Sequence, residues 1–144
     1  MTLREWRYRD IIKIAQMERE CFPDEPWSFQ TLATCFQTSA FCGVVAEEDG
    51  EIIGYGGVTI AADAADIENI AVAEPYRRCG TGGKILAELE RRAKTRGASE
   101  VFLEVRVSNS PAMMMYLKNG YKGLYARARY YADGEDCLVM KKTV

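Results

Sequence analysis

A mixed β-sheet with helices packed on it, an α/β (α+β) single domain, is the fold class this sequence predicts. Three observations carry it. Stretches of alternating apolar residues and stretches of helical periodicity succeed one another in the order β-α-α-β-β-β-α-β-α-β-β. Turn-type Gly and Pro fall at the boundaries between them. The 144 residues, 48% hydrophobic and 28% charged, have the size and balance of one domain over residues 1–144, with no repeat, low-complexity stretch or linker.

Taken in order, Leu3 to Tyr8 alternates enough for a first strand. Asp10 is placed to N-cap a helix that turns Ile11, Ile14, Ala15 and Met17 inward and stops before Pro23. Phe22-Pro23-Asp24-Glu25-Pro26-Trp27-Ser28 holds two of the four prolines and reads as an irregular loop. Ser28 caps a second short helix through Phe36. Phe41 to Glu47 and Glu51 to Ala61 form a hairpin about Glu48-Asp49-Gly50, with Gly where φ must be positive. Asp66 to Val72 is a further strand, ended by Glu74-Pro75. Gly82 to Arg96 has Ile85, Leu86, Leu89 and Ala93 on one face, pairs Glu88–Arg92 and Glu90–Lys94 outside, and Gly97 as its stop. Val101 to Val107 is a strand. Ser110-Pro111 starts a helix that Gly120 ends. Tyr121 to Tyr131 and Cys137 to Lys142 close the chain as two strands about Ala132-Asp133-Gly134.

Composition removes whole classes of function. The 19 basic and 21 acidic residues give a net charge of −2 without a basic stripe, so no nucleic-acid partner is expected. No apolar run approaches the ~20 residues of a membrane span, and Met1 to Asp10 is too polar for a secretory signal, so no membrane partner is expected either. The histidine count is zero, which excludes Ser-His-Asp and Cys-His catalysis and His-ligated metal sites; no metal is expected. The five cysteines include no C-x-x-C pair and leave one over, pointing to a reducing, cytoplasmic setting.

Three features could carry chemistry. Arg77-Arg78-Cys79-Gly80-Thr81-Gly82-Gly83-Lys84 joins a strand to a helix. Its glycines let backbone N–H groups converge where the helix dipole is positive, as a pyrophosphate cradle requires. It matches neither the Walker loop nor the full dinucleotide fingerprint, and a glycine-rich helix start with solvated arginines is the plainer reading. Glu104 is a charge inside an apolar strand, either functional or paired with Arg106 or Lys84. Tyr116 fits the core by periodicity, its hydroxyl finding a partner.

The three fall in the order and spacing of a known family. Asn69-Ile70-Ala71-Val72, Glu74-Pro75 and Arg77-Arg78-Cys79-Gly80-Thr81-Gly82 resemble the acetyl-CoA motif of the GNAT superfamily of N-acetyltransferases. Phe102-Leu103-Glu104-Val105-Arg106, Ser108-Asn109, Tyr116, Asn119-Gly120-Tyr121 and Arg127-Ala128-Arg129-Tyr130-Tyr131 resemble its ribosomal-protein alanine N-acetyltransferase subfamily. The likeness covers residues 41–144 closely and the first forty through Phe22-Pro23 and Pro26-Trp27-Ser28. Gly83 stands where that subfamily usually carries Arg or Lys.

The resemblance implies a mostly antiparallel sheet that splays between its fourth and fifth strands, with acetyl-CoA as co-substrate in the gap. Ile70, Ala71 and Val72 would offer backbone groups to the pantetheine arm. Arg78, Cys79, Gly80, Thr81, Gly82 and Gly83 would hold the pyrophosphate, and Asn109 would reach the cofactor from the far side. Glu104 would be the general base and Tyr116 the general acid of a direct transfer, with Cys79 the competing nucleophile. Trp27, Tyr130 and Tyr131 would line the acceptor site. The implied acceptor is a protein N-terminus, the alanine of a ribosomal protein, which Glu135 and Asp136 could favour by attracting a basic residue. The rivals are a small-molecule amine as acceptor, a non-catalytic acyl-CoA binder and a nucleotide-binding module.

Overall fold

The computed structural model describes residues 1–144. Seven strands, β1 (Thr2–Glu5), β2 (Phe41–Glu48), β3 (Glu51–Ala61), β4 (Ala64–Val72), β5 (Glu100–Arg106), β6 (Lys122–Arg127) and β7 (Cys137–Thr143), form one sheet in the order β1-β2-β3-β4-β5-β7-β6. Four helices accompany it: α1 (Ile11–Cys21), α2 (Phe29–Gln37), α3 (Thr81–Thr95) and α4 (Ser110–Lys118). The element order is the one the sequence predicts.

Only β4 and β5 run parallel, and they pair over three residues, Ala64 to Asp66 against Glu100 to Phe102. Beyond Asp66 the strands part, as the resemblance implies. Just past that point the β4 register shifts against β3, so that Gly57 faces Asn69 while Val58 faces Ile67, and Glu68 is the extra residue. The bulge reverses which side chains face which layer. Ala65 and Ile67 enter the core under α3, whereas Ala71 joins the core under α1 and α2.

The two cores are divided by alternation along the strands. Val44, Ala46, Val101, Leu103 and Val105 meet Ile85, Leu86 and Leu89 of α3 on one face. Trp6, Val45 and Tyr55 meet Ile11, Ile14 and Met17 of α1 and Leu32 of α2 on the other. The α3 helix lies so close to β3 that a Cβ on Gly56 would sit 2.8 Å from Ile85.

Local chemistry explains most boundaries. Ser28 Oγ accepts the Thr31 N–H at 3.1 Å and starts α2. Asp49 and Gly50 both take positive φ in the two-residue β2–β3 turn. After α3, Gly97 (φ +101°) lets the Ala98 N–H reach back to Ala93, and Gly120 (φ +96°) does the same for Tyr121 and Tyr116 after α4.

Other expectations are corrected. The first strand ends at Glu5, because Trp6 turns into the core and donates its indole N–H to Val44. Asp10 does not cap α1; its buried carboxylate takes two bonds from Arg4 and one from the Arg7 N–H. Glu88 does bind Arg92, but Glu90 is taken by the Tyr121 hydroxyl and Lys142 rather than by Lys94. The penultimate strand stops at Arg127, since Arg129 adopts positive φ (+51°), leaving Tyr130 and Tyr131 in the connecting loop.

At the far edge of the sheet all six β6 residues are exposed, and another register shift falls between Gly123 and Tyr125.

Candidate active site

Glycine content and helix geometry build the first part of the site. The α3 helix follows β4 and a 3-10 turn at Glu74–Tyr76, and its N-cap is Gly80 at φ +82°. Because α3 starts at Thr81, its own ladder begins with the Lys84 N–H to Gly80 at 3.1 Å. The six amides from Arg78 to Gly83 therefore have no acceptor within the chain. Space above them is open, since a Cβ on Gly80 would meet nothing within 4 Å. A Cβ on Gly82 would press on the Met115 sulfur at 2.9 Å, whereas Gly83 has ordinary room. Arg78, Cys79 and Lys84 are exposed there, and Lys84 has no ion-pair partner. Arg77 is used otherwise: its Nε donates to the Val72 carbonyl at 2.8 Å and ties the loop to β4. The amide row, the dipole and two uncommitted cations suit a polyanion.

The parting of the strands builds the second part. Ile70, Ala71 and Val72 pair with β3 on one edge and have no partner on the β5 edge. Glu104 and Tyr116 lie on opposite faces of the sheet beside this opening. Glu104 alternates with the buried Leu103 and Val105 and so points to the α1 side. Tyr116, in α4, packs in the α3-side core and touches Tyr121 edge-on, with centroids 5.9 Å apart.

Neither residue has the partner expected for a structural role. Arg106 is bound by Asp133 and Glu135 at 2.8 and 3.0 Å, so it is not paired with Glu104. The Glu104 side chain keeps 39% of its surface exposed, with Arg127 at 4.0 Å, and the buried Cys137 thiol donates to it over 3.6 Å. The Tyr116 hydroxyl bonds to nothing in the chain, and no buried polar side-chain atom is left unpaired, so that hydroxyl meets solvent. Burial pushes it up to about 12.

Around Glu104 lie two carboxylates of β4 and the tyrosines of the loop before β7. Burial and the Glu104 charge raise Asp66; burial, Asp66 and Glu104 together raise Glu68. The neighbouring Glu104 carboxylate also holds the Tyr130 phenol above its usual value. Tyr131 stacks under the Arg106 guanidinium at 4.0 Å and is pushed up to about 12, chiefly by burial. Glu135 takes the Arg106 guanidinium and the Ser108 N–H and is thereby committed, while Asp136 accepts the Arg129 N–H through one oxygen and has no ion-pair partner. Glu25 accepts the Ala132 N–H at 3.0 Å, joining the loop before α2 to the loop before β7. On the other strand end, Asn109 caps α4 through its side-chain oxygen, which accepts the Ala112 N–H.

One residue of this region escaped the sequence reading. Glu18 is fully buried, and its carboxylate accepts from the Trp27 N–H, the Asn69 amide and the Tyr55 hydroxyl. A signal existed: Glu18 follows Ile11 by seven and Ile14 by four, which puts it on the buried stripe of α1.

An open-edged strand leading to an uncapped, glycine-rich helix start is a site suited to a polyanion, and the chain's relatives give its family. The acetyltransferase (GNAT) family model matches residues 9–121, and the chain belongs to that family. It is 36% identical to an N-alpha-acetyltransferase of Sulfurisphaera tokodaii, over 96% of this chain and 90% of that protein. It is 32% identical to the [ribosomal protein bS18]-alanine N-acetyltransferase of Escherichia coli, over 80% of this chain and 79% of that protein. The crystal structure of the latter enzyme superposes with a TM-score of 0.89 at 28% identity, covering 99% and 93% of the two chains. The chain is thus an N-acetyltransferase in sequence and in fold. No helix is long and apolar enough to cross a membrane.

Proposed function

We propose that this chain transfers the acetyl group of acetyl-CoA to the N-terminal α-amine of a protein, with a ribosomal protein that begins in alanine as the acceptor class. The observation that carries the reading is the opening between β4 and β5, which has unpaired amides and Tyr116 on one face and Glu104 on the other. The residues fit the co-substrate. The amides of Arg78 to Gly83 would take the pyrophosphate, with Arg78 and Lys84 adding charge, and the free edge of Ile70 to Val72 would run beside the pantetheine arm. Asn109 would close the far side. No metal and no covalent enzyme intermediate is needed, and Cys79 is left as a bystander.

The roles follow from the faces. An acceptor amine approaching from the α1 side meets Glu104 first. An α-ammonium has a pKa of about 7.7–8.0, against about 10.4 for lysine. A carboxylate open to solvent can pass a proton from the first far more readily than from the second. This difference favours N-termini over lysine side chains. On the opposite face Tyr116, held at about 12, stays protonated and donates a hydrogen bond to the departing sulfur. A coenzyme thiol resembles cysteine, near 8.5, so the tyrosine stabilises the thiolate by hydrogen bonding rather than by giving up its proton outright. Trp27, Tyr130 and Tyr131 would flank the acceptor's first residues, an arrangement that suits an extended peptide better than a compact amine.

Purified protein with acetyl-CoA and a panel of peptides, polyamines and free amino acids tests this, with mass spectrometry locating the acetyl group. Alanine-initial peptides acetylated on the α-amine are expected to outperform the rest. Equal turnover of small amines, or modification confined to lysine side chains, would overturn the acceptor assignment.

A further inference from the structure

We infer that Glu18 is a positioning residue for the acceptor side of this site: its buried carboxylate holds the Pro26-Trp27 stretch against β4 beside the opening. The inference rests on the proposed acetyl transfer, and it concerns a residue remote from the cofactor cradle. Glu18 is 0% exposed. Burying a carboxylate is costly, and the three donors that converge on this one offset that cost. What an apolar residue cannot do is bind a backbone amide. Between Phe22 and Ser28 the only main-chain hydrogen bond runs from the Trp27 N–H to Glu18 at 2.8 Å.

The same carboxylate reaches the other wall. Its second oxygen takes the Asn69 side-chain amide at 2.8 Å and the Tyr55 hydroxyl. Asn69 directly follows the bulge residue Glu68 and precedes Ile70 to Val72, the run with the open edge. One group thus ties the loop that carries Trp27 to the strand that borders the gap, Glu18 and Asn69 lying 51 residues apart in sequence. Trp27 in turn shares a recess with Leu32, Phe41 and Glu68.

Steady-state kinetics and amide exchange on the Glu18→Gln variant test the inference. For an alanine-initial peptide, kcat/KM should fall about 10–100-fold, as expected when a substrate wall shifts by an ångström, while acetyl-CoA affinity stays within about twofold. Combining it with Trp27→Ala should cost little beyond the worse single change, because both act through one wall. The Trp27 amide should exchange at least about tenfold faster in Glu18→Gln. Additive losses, or unchanged peptide kcat/KM in an active protein, overturn the inference and leave the acetyltransferase reading standing. If Glu18→Gln does not fold, the parent decides: its Trp27 amide should exchange more slowly than those of Asp24 and Glu25, and equal rates overturn the inference. A parent that acetylates no peptide overturns the proposed acceptor class, and the exchange data then judge the Glu18 tie alone.

Discussion

On the α3 side of the β4–β5 opening the candidate binding groups are backbone amides, six in a row from Arg78 to Gly83, whereas on the α1 side they are side chains carried by loops. The starts of α2 and α4 sharpen the contrast, because Ser28 and Asn109 close them with their own side chains. A site made of amides depends on glycine, helix direction and little else. A site made of side chains depends on each loop reaching its place, here through Glu18, Glu25 and Arg106. The first can be shared widely among proteins with one co-substrate; the second can change with the acceptor.

If the division is real, the two sides should fail separately. The largest effect is expected from Glu104→Gln, with kcat reduced by about 10²–10⁴-fold and acetyl-CoA affinity kept. Calorimetric titration beside steady-state rates checks it, and a matching loss of affinity would merge the two sides into one. Next comes Gly82→Asp, which sets a carboxylate beside the amide row and presses on Met115. Acetyl-CoA affinity should drop by about 100-fold or more, since like charges a few ångströms apart repel by several kcal/mol at a protein surface. Unchanged affinity in a folded variant would move the cofactor elsewhere.

The smallest effect belongs to neither side. Arg91 and then Arg92 hold the Glu88 carboxyl down to about 2 on the outer face of α3. A carboxylate with a depressed pKa adds stability above its unfolded value, near 4.3, and loses it as the pH falls toward the folded one. Glu88→Gln should therefore lower the melting temperature slightly at pH 7, for about 0.5 kcal/mol, with the gap closing near pH 2. Activity should not change, and thermal melts across pH against parallel assays would detect any leak into the site.

Legibility in the sequence followed the same division. The glycine loop, Glu104 and Tyr116 stood out because their signals are local: glycines before a helix, a charge in an apolar strand, a tyrosine on a core stripe. Element order was equally plain, since alternation and turn residues act over a few positions. How the loops around Glu104 are held was not legible, because their contacts join residues far apart. Arg106 binds Asp133 and Glu135 instead of Glu104, and Ala132 bonds to Glu25 across 107 positions. The loop holding Tyr130 and Tyr131 depends on a positive φ at Arg129, a residue type that gives no warning of it. Asp10, read as a cap, turned out to be held by Arg4 from the neighbouring strand.

The bulge in β6 has a consequence of a different kind. That strand closes the sheet with Leu124 and Tyr125 each about half exposed, the profile of a surface that recruits foreign chains. Ladder-by-ladder growth needs a regular row of donors and acceptors, and the extra residue at Leu124 breaks that row in the middle. Lys122 and Arg127 place like charges at its two ends. A second molecule laying its own edge alongside would find its backbone out of step and its cations facing cations. The sheet thus ends at seven strands by mismatch rather than by cover, with those apolar side chains left on its surface.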